Sequence, residues 1–318
     1  MPDRQTVAME RYLVTGGAGF IGSHIVEALL AEGHFVRILD NFDTGNRKNL
    51  PEASPQWELV EGKLEDLETV RKAVAGIDYV LHQAARGSVP RSILDPVGTH
   101  NSNVTGTLNV LLASKDAGVR RVVCASSSSV YGETPTLPKV ETMHPTPKSP
   151  YAVSKLVTEH YMKIFHEAYS LETVALRYFN IYGPRQNPKL QYAAVIPIFI
   201  ENMLAGKPCN IYGDGEQTRD FTFVTDCVRA NLLACRTSGI SGEVFNIACN
   251  RQTSVNQLFQ LLSGLIGNEI KAAYKPARSG DVKYSYADIG KARGKLKFEP
   301  KIGLSEGLKQ TVEWFSRT

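Results

Sequence analysis

The sequence predicts an α/β protein with a Rossmann-type, doubly wound parallel sheet and a smaller, mixed α/β C-terminal lobe. Over the first 180 residues, short apolar segments alternate with segments of helical periodicity, which is typical of a parallel sheet covered by helices on both faces. After residue 181 the pattern becomes irregular and rich in turns. We therefore expect one domain over residues 1–180 and a lobe over residues 181–318 that returns some strands and helices to the first domain.

The elements follow in order from the apolar pattern. The segment RYLVTG at 11–16 is apolar and β-branched, as expected of a strand, and 20–33 has helical periodicity that ends at Gly33. By the same criteria, further strands are expected at 34–40, 57–62, 78–85, 120–128, 173–180 and 243–248. Further helices are expected at 64–76, 92–117, from Pro150 onward, and at 195–205, 225–236, 254–266 and 303–316.

Composition narrows the class of protein. Hydrophobic residues make up 42% of the 318 residues and charged residues 21%, which is ordinary for a globular protein. The formal charge of +4 comes from scattered residues, so no nucleic-acid partner is expected. Five cysteines without a CxxC pair predict neither a disulfide framework nor a zinc site, and no other metal-ligand spacing occurs, so we expect no metal and a cytoplasmic location. No apolar run reaches membrane-spanning or signal-peptide length, so no membrane partner is expected.

A glycine-rich loop lies between the first strand and the first helix. Gly16, Gly19 and Gly22 form a GxxGxxG pattern, which lets the backbone turn tightly and approach a pyrophosphate at the helix N-terminus. Asp40 follows at the end of the second strand. Its carboxylate can accept hydrogen bonds from a ribose hydroxyl and would repel a 2′-phosphate, so the cofactor predicted is NAD rather than NADP.

Tyr151 and Lys155 stand four residues apart, directly behind Pro150. Proline is well tolerated in the first turn of a helix, and an i,i+4 pair lies on one helix face. A free phenol has a pKa of about 10. The positive end of the helix dipole and a neighbouring ammonium both favour the phenolate and lower that pKa. The stretch therefore predicts a tyrosine base that works near neutral pH, although YxxxK alone also fits two ordinary residues on a surface helix.

Several motifs together resemble the extended short-chain dehydrogenase/reductase family, over about residues 10 to 316. They are GGAGFIG at 16–22, SSSSVYG at 126–132, YAVSK at 151–155, LRYFNIYGP at 176–184 and RSGD at 278–281. Within that family the sequence is most similar to NAD-dependent UDP-sugar 4-epimerases. GSVPRSI at 87–93, AAVIP at 193–197 and YGDGEQTRDF at 212–221 resemble the branch that acts on UDP-N-acetylhexosamines or their uronic acids.

The resemblance implies roles for individual residues. Tyr151 would be the general base, Lys155 would assist it and hold the nicotinamide ribose, and Ser127 would hydrogen-bond the sugar 4-hydroxyl, with Ser126 and Ser128 as alternatives. The implied cofactor contacts are Gly16, Gly19, Phe20, Ile21, Gly22, Asp40, Asn41, Leu64, Gln83, Ala84, Ala85, Asn103, Tyr151, Lys155 and Tyr178. The implied substrate contacts are Ser128, Asn180, Ala194, Val195, Tyr212, Arg219, Arg278, Asp281 and Ser285.

Four of the implied substrate contacts have side chains whose chemistry suits the UDP group. Arg219 and Arg278 would grip the diphosphate, because guanidinium forks match phosphate oxygens. Tyr212 would stack on uracil, and Asp281 would accept a ribose hydroxyl. At the position of Ser285, epimerases limited to unacetylated UDP-hexoses carry a bulky tyrosine, so the smaller serine implies a pocket open to an N-acetyl group.

One position departs from the family pattern. The family usually has an aspartate after the third strand to accept from the adenine amino group, and this sequence has Lys63 there, in VEGKLED at 60–66. A lysine has no acceptor for that hydrogen bond. Either the contact is lost, or backbone groups around Leu64 hold the adenine.

The implied reaction is 4-epimerisation of a UDP-sugar, through oxidation at C4, rotation of the keto sugar and return of the hydride. Nucleotide-sugar 4,6-dehydratases begin with the same oxidation but carry an Asp-Glu pair where this sequence has Ser128 and Ser129, which argues against dehydration. Decarboxylation is less firmly excluded. A non-enzymatic NAD-binding relative would be expected to lose Tyr151, Lys155 or the glycines.

The resemblance also implies a homodimer whose four-helix interface uses helices near 92–117 and 150–168.

Overall fold

The computed structural model describes residues 9–188, 194–267, 270–277 and 283–317. Its strands in that part of the chain are β1 (Arg11–Thr15), β2 (Phe35–Asp40), β3 (Trp57–Glu61), β4 (Tyr79–His82), β5 (Arg121–Ser127), β6 (Glu172–Tyr178), β7 (Ile181–Tyr182), β8 (Cys209–Tyr212), β9 (Thr218–Arg219), β10 (Thr222–Phe223), β11 (Glu243–Ile247), β12 (Thr253–Ser254) and β13 (Ala272–Lys275). Its α-helices are α1 (Phe20–Ala31), α2 (Leu67–Val74), α3 (Val89–Leu94), α4 (Pro96–His100), α5 (Gly106–Asp116), α6 (Pro150–Tyr169), α7 (Val195–Leu204), α8 (Val224–Arg236), α9 (Val255–Ile266) and α10 (Leu304–Phe315).

Seven strands form one large sheet, in the order β11-β6-β5-β4-β1-β2-β3, and every neighbouring pair is parallel. Alternate side chains of a strand point to opposite faces. Val14 accordingly packs into a core cluster with residues of α1 and α8, whereas Leu13 packs into a second cluster with residues of α2, α5 and α6. The predicted doubly wound, Rossmann-type class is confirmed.

The strand order places a crevice at the centre of the sheet. The chain passes from β1 to β2 on one side, and β4 lies against the other side of β1. In open α/β sheets, ligands bind outside the carboxyl ends of the strands at such a reversal of order. The loops that follow β1, β2, β4, β5 and β6 therefore mark the edge where a site is expected.

The helix expected over 92–117 is divided, which corrects that prediction. α3 ends at Leu94, and α4 begins at Pro96, which has no N–H to continue the hydrogen-bond ladder of α3. The Asp95 side chain caps α4 by accepting from the Gly98 N–H at 2.8 Å. A single π-helical stretch, Asn101–Thr105, then joins α4 to α5.

The second half of the chain contributes to both parts of the molecule. β11 pairs with β6 at the edge of the large sheet, and α8 packs on the same face as α1. The remaining elements form three small strand pairs, β7 with β10, β9 with β12 and β8 with β13, together with α7, α9 and α10. A functional division at residue 180 stays a prediction.

Candidate active site

The loop after β1 has the shape that the glycine pattern predicts. Gly16 has a φ of +69°, and a Cβ there would lie 2.8 Å from Cα of Ala84. A Cβ at Gly22 would lie 2.1 Å from the carbonyl oxygen of Gly16, so helix and loop can only be this close without a side chain. Gly19 caps α1 without a side-chain hydrogen bond. The first N–H groups of the helix therefore face the crevice, as a pyrophosphate site requires.

Asp40 is fixed beside this loop. Its Oδ2 accepts from the Ala18 N–H at 2.9 Å, and its Oδ1 accepts from the Phe42 N–H at 2.8 Å. The carboxylate is buried and directly follows β2, next to Asn41. It therefore brings a negative charge to the crevice edge where the ribose hydroxyls of a dinucleotide would lie, and contact with the ribose stays a prediction.

Lys63 and Leu64 follow β3, where contact with the adenine is predicted. That side chain is exposed at the end of β3, whereas the neighbouring Leu64 is buried. The Leu64 carbonyl oxygen accepts from Asn109 Nδ2 at 2.8 Å, so the backbone here is held from α5. The predicted contact between Leu64 and adenine stays a prediction.

A buried histidine that the sequence did not single out lies beneath the loop after β4. Thr15 Oγ1 accepts from the Ala84 N–H at 3.2 Å and lies 2.7 Å from His82 Nδ1. On the other side of the ring, His82 Nε2 lies 3.0 Å from Thr107 Oγ1, which donates to the Asn103 carbonyl oxygen. We assign the proton to Nε2, which lets each hydroxyl both donate and accept. Burial lowers the pKa of His82 to about 3, consistent with a neutral ring.

The Asn103 amide connects two of the loops at this edge. Its Oδ1 accepts from the Arg86 N–H at 2.8 Å, and its Nδ2 donates to Ser154 Oγ at 2.9 Å. Asn103 therefore fixes α6 relative to the loop that contains Ala84 and Ala85. Cofactor contact by Asn103 stays a prediction, while this bridging role is visible in the structure.

Tyr178 lies in a second hydrogen-bonded group. Its hydroxyl donates to Gln83 Oε1 at 3.0 Å and accepts from Asn231 Nδ2 at 2.8 Å. Gln83 Nε2 donates in turn to Asn231 Oδ1 at 2.9 Å, which closes a ring of three side chains. Asn231 was missed at the sequence level. The available signal was a polar residue on the buried face of an otherwise apolar stretch of α8.

The predicted catalytic pair stands at the start of α6. The Ala152 N–H donates to Ser149 Oγ at 3.1 Å, and Pro150 occupies the first turn, so the helix begins where the sequence predicted. Tyr151 is partly exposed on that turn. Lys155 is buried, and its Nζ donates to the Ala125 carbonyl oxygen of β5 at 2.7 Å. The ammonium therefore lies against the carboxyl-terminal half of β5, and Tyr151 stands one helical turn before it.

The three candidate serines differ in their surroundings. Ser126 is buried and donates to Glu159 Oε1 at 2.5 Å, and Glu159 forms a buried ion pair with Arg177. Ser127 Oγ accepts from the Ser129 N–H at 3.2 Å and from the Ser129 hydroxyl at 2.9 Å. Because the Ser126 hydroxyl is committed to Glu159, Ser127 and Ser128, which are partly exposed, remain the candidates for a substrate contact.

A cavity of ≈ 230 Å³ lies in the second lobe. Five of the predicted substrate residues line it: Asn180, Ala194, Val195, Tyr212 and Arg219. α7 begins in its wall, and the side chain of its N-cap residue, Ala194, makes no capping hydrogen bond. A helix N-terminus favours a bound anion. The lining also includes Asn210 and Gln217, which the sequence did not single out. Arg278 and Asp281 lie outside the described residues.

The segment 283–289, which carries Ser285, lies between this cavity and the loop that contains Lys139. The Ser285 N–H donates to the Thr218 carbonyl oxygen at 3.2 Å, directly beside Arg219. Two residues later the same segment pairs with Lys139, and the Asp288 N–H donates to the Lys139 carbonyl oxygen at 3.0 Å. The segment with Ser285 therefore runs from the edge of the cavity to Lys139.

Within the described ranges, no group of three or more His, Cys, Asp or Glu side chains could hold a metal ion. None of the helices in that same part of the chain is both long and apolar enough to cross a membrane.

Comparison with known proteins gives consistent matches over nearly the whole chain. The family model described as the NAD dependent epimerase/dehydratase family matches residues 12–248. A UDP-glucose 4-epimerase of Mycolicibacterium smegmatis is 40% identical over 309 residues, which cover 96% of this chain and 98% of that protein.

Two solved structures are similar in fold and sequence. One is a UDP-N-acetylglucosamine 4-epimerase from Methanobrevibacter ruminantium in complex with UDP-N-acetylmuramic acid, with a TM-score of 0.94 and 40% identity over 98% of this chain and 100% of that one. The other is a UDP-glucose 4-epimerase from Thermotoga maritima with UDP-glucose, with a TM-score of 0.92 and 43% identity over 96% and 99% of the two chains.

Proposed function

The chain belongs to the NAD-dependent epimerase/dehydratase family, and from this premise we propose that it is a UDP-sugar 4-epimerase that interconverts UDP-N-acetylglucosamine and UDP-N-acetylgalactosamine. UDP-glucose and UDP-galactose would be weaker substrates. The observation that carries the proposal is that Lys155, four residues after Tyr151 on α6, is hydrogen-bonded to the Ala125 carbonyl oxygen of β5, the strand that ends at Ser127. The relatives at 40% and 43% identity are themselves described as 4-epimerases of UDP-sugars.

The residues at the crevice suit NAD as the cofactor. The glycine loop leaves space that a Cβ would fill, the N-terminus of α1 is open to a pyrophosphate, and Asp40 suits an unphosphorylated ribose. When bound, NAD accepts a hydride from C4 of the sugar and later returns it. The protein supplies the binding surface and the electrostatics for that exchange.

Tyr151 performs the proton transfer in the proposed reaction. As phenolate it removes the proton of the 4-hydroxyl group, and as phenol it returns that proton to the C4 oxygen after the keto sugar has turned and its opposite face receives the hydride. Lys155 stabilises the phenolate by its charge, because its ammonium is fixed on the Ala125 carbonyl and cannot swing away to solvent. Ser127 or Ser128 orients the hydroxyl group that reacts.

The nucleotide half of the substrate would occupy the cavity of the second lobe. Arg219 and the open N-terminus of α7 both suit the diphosphate, and Tyr212 offers a ring for the base. Binding there is remote from C4, so the sugar can rotate about its diphosphate link while the intermediate stays bound.

The preference for acetylated sugars rests on Ser285. Its N–H donates to the Thr218 carbonyl oxygen, next to Arg219 of the cavity, and on this basis we place its side chain near the path along which the sugar would extend. The small side chain leaves space where a tyrosine would exclude an acetamido group. A closely packed pocket accepts little overfilling, so one residue of this kind can decide between substrates.

One experiment tests the proposal directly. Purified protein is incubated with UDP-N-acetylglucosamine, UDP-glucose and UDP-glucuronic acid, and the products are separated by chromatography and identified by mass. Epimers of unchanged mass, formed fastest from the acetylated sugar, are the expected result. Loss of carbon dioxide would assign a decarboxylase, loss of water would assign a dehydratase, and bound NAD without turnover would assign a binding protein.

A homodimer is part of the same proposal. Ile93, Leu94 and Val97 are 62%, 69% and 68% exposed on α3 and α4, which pack against α6. Val153 and Ile164 on α6 are also exposed. A second copy of this chain that supplied the same helices would cover these apolar side chains in a four-helix interface.

A further inference from the structure

A buried carboxylate, Asp220, lies outside the set of residues singled out for binding. Its neighbours Arg219 and Phe221 both line the nucleotide cavity. Along an extended segment, successive side chains point in opposite directions. Arg219 and Phe221 therefore face the cavity, while the fully buried Asp220 side chain points away from it into the protein.

The Asp220 carboxylate accepts hydrogen bonds from two other chain segments. Oδ1 accepts from the Cys249 N–H at 2.8 Å, and Oδ2 accepts from the N–H groups of Arg251 at 3.3 Å and Ala287 at 3.4 Å. Its own main-chain oxygen accepts from Asn180 Nδ2 at 3.0 Å. One residue thus connects the loop before β12, the segment 283–289 and the loop after β6.

Each connected segment carries part of the proposed substrate site. Asn180 lines the cavity, and Ala287 stands two residues from Ser285. The loop at 249–251 leads into β12, where Thr253 pairs with Arg219. Strand β9 is therefore flanked by β12 on one side and by the 283–285 segment on the other, and Asp220 holds both flanks at once.

The placement of this charge carries an energetic cost. Burial raises the pKa of Asp220 to about 6, because the ionised form is separated from water. Buried carboxylates are retained only where hydrogen-bond donors offset that cost. Here the donors are the main-chain N–H groups of the very segments that form the wall of the site.

We propose that Asp220 is a positioning residue of the substrate site: it fixes the segment with Ser285 against the strand with Arg219, and so sets the width of the pocket between diphosphate and sugar. The inference rests on the proposed UDP-sugar function. It goes beyond that function by assigning the shape of the site to a side chain that does not touch the substrate.

Asp226 provides a matched control. Its carboxylate is also buried, and it also accepts from main-chain N–H groups, those of Lys301 at 2.8 Å and Ile302 at 3.1 Å. It holds the segment before α10, and it does not line the cavity. Asp226 also pairs with Arg229 at 2.8 Å. Asp226→Asn therefore removes a buried charge that supports the fold outside the cavity.

The experiment compares Asp220→Asn and Asp226→Asn in the full-length protein with its cofactor. UDP is the probe, with its Kd measured by calorimetry; KM and kcat for UDP-N-acetylglucosamine and UDP-galactose and the melting temperature are measured in parallel. Asparagine keeps the shape of aspartate, but its single carbonyl oxygen can accept on one side only. Its NH2 group then meets either the Cys249 N–H or the N–H groups of Arg251 and Ala287. We expect the Kd of UDP and both KM values to rise about tenfold for Asp220→Asn, the scale for losing charge-assisted hydrogen bonds, with kcat within about threefold.

For Asp226→Asn, the melting temperature should fall while Kd and KM stay within about twofold of the wild type. Asp220→Ser, which keeps one small acceptor, replaces Asp220→Asn if that variant does not fold. An unchanged Kd for UDP in a folded Asp220 variant would overturn the positioning role. Wild-type protein that binds UDP but converts no UDP-sugar would overturn the proposed function, and the Kd comparison would still decide the role of Asp220. Absence of UDP binding to the wild type would overturn both.

Discussion

Lys155 Nζ donates to the carbonyl oxygen of Ala125 at 2.7 Å, which fixes this ammonium of α6 on the central sheet. The lysine side chain is buried, and this bond orients it from β5. A charge held in this way lowers the cost of forming a phenolate on the same helix face, four residues earlier. This geometry is the basis of the first prediction.

Tyr151→Phe removes the oxygen that titrates and keeps the ring. Turnover should fall by at least about a hundredfold, the usual scale for loss of a general base, while bound NAD is retained. The measurement is kcat for the UDP-sugar that the wild type converts best, together with the NAD content of the purified variant. Turnover near the wild-type value would contradict the assignment of the base.

Cofactor choice follows from Asp40. The wild type should bind NAD and bind NADP poorly, because a 2′-phosphate would meet the carboxylate. Asp40→Asn removes the charge and keeps an acceptor for one of the two main-chain N–H groups, so the preference for NAD should narrow. Titration of both cofactors into cofactor-free protein measures this, and equal affinities in the wild type would show that Asp40 does not face the ribose.

Substrate range should respond to Ser285. Ser285→Tyr fills the space proposed for the acetamido group, so activity on UDP-N-acetylglucosamine should fall far more than activity on UDP-galactose. Ser285→Ala is the matched control, since it changes the chemistry of the side chain with little change in volume, and it should keep both activities. The ratio of kcat/KM for the two sugars is the quantity to compare. An equal loss of both activities in Ser285→Tyr would show that this position does not select the sugar.

The stability of the protein should depend on pH through His82. Burial and the nearby Lys155 charge lower the pKa of His82 from 6.5 to about 3, so the folded state resists protonation of this ring. The contribution is fully present above pH 6.5 and is lost as the pH falls toward 3, with about 2 kcal/mol lost by pH 5. Asp220 acts in the opposite sense, because its raised pKa makes the folded state favour the proton.

Comparison of the wild type with His82→Gln separates the pH effect of His82 from that of Asp220. His82→Gln retains Asp220, so the contribution of Asp220 cancels when the two proteins are compared. The variant should be less stable at neutral pH, but its free energy of unfolding should fall less between pH 6.5 and pH 5 than that of the wild type. Denaturant unfolding at several pH values measures this difference, and identical slopes for the two proteins would contradict the prediction.

The proposed homodimer predicts that a charge placed in its interface should separate the two copies. Leu94→Glu places a charge in the exposed apolar surface formed by α3, α4 and α6, and it should convert the dimer to a monomer as measured by light scattering. Leu265→Glu on α9 is the control, because that leucine is also exposed but lies on a different helix. A wild-type protein that is already monomeric would contradict the proposed interface.

Residues that act through local spacing could be predicted from the sequence. Gly16 and Gly22 lie in one turn, and Tyr151 and Lys155 lie on one helix face, so short-range pattern was enough to propose their roles. The sequence also suggested a continuous helix over 92–117, because its periodicity continues across Asp95. The helix is nevertheless interrupted there, because Pro96 has no N–H to continue the hydrogen-bond ladder.

Residues that act through distant partners could not be predicted in the same way. Asn231 lies 148 residues from Gln83 in the chain, and its role exists only once α8 packs on the face of the sheet beside α1. Asp220 likewise gains its partners from segments that begin about 30 residues further along, and nothing local marks those N–H groups as unpaired. Local sequence pattern therefore predicts candidate reacting groups more readily than the residues that hold them in place.

The place of β11 in the sheet has a consequence for how the protein is made. A ribosome that has released residues up to 180 has exposed β6 as an open edge, and α8, which covers one face of the sheet, is not yet synthesised. Open apolar edges of this kind associate with other chains. We therefore expect a fragment that ends at residue 180 to aggregate. We also expect the newly made chain to need a chaperone until Ile247 has emerged and β11 can pair with β6.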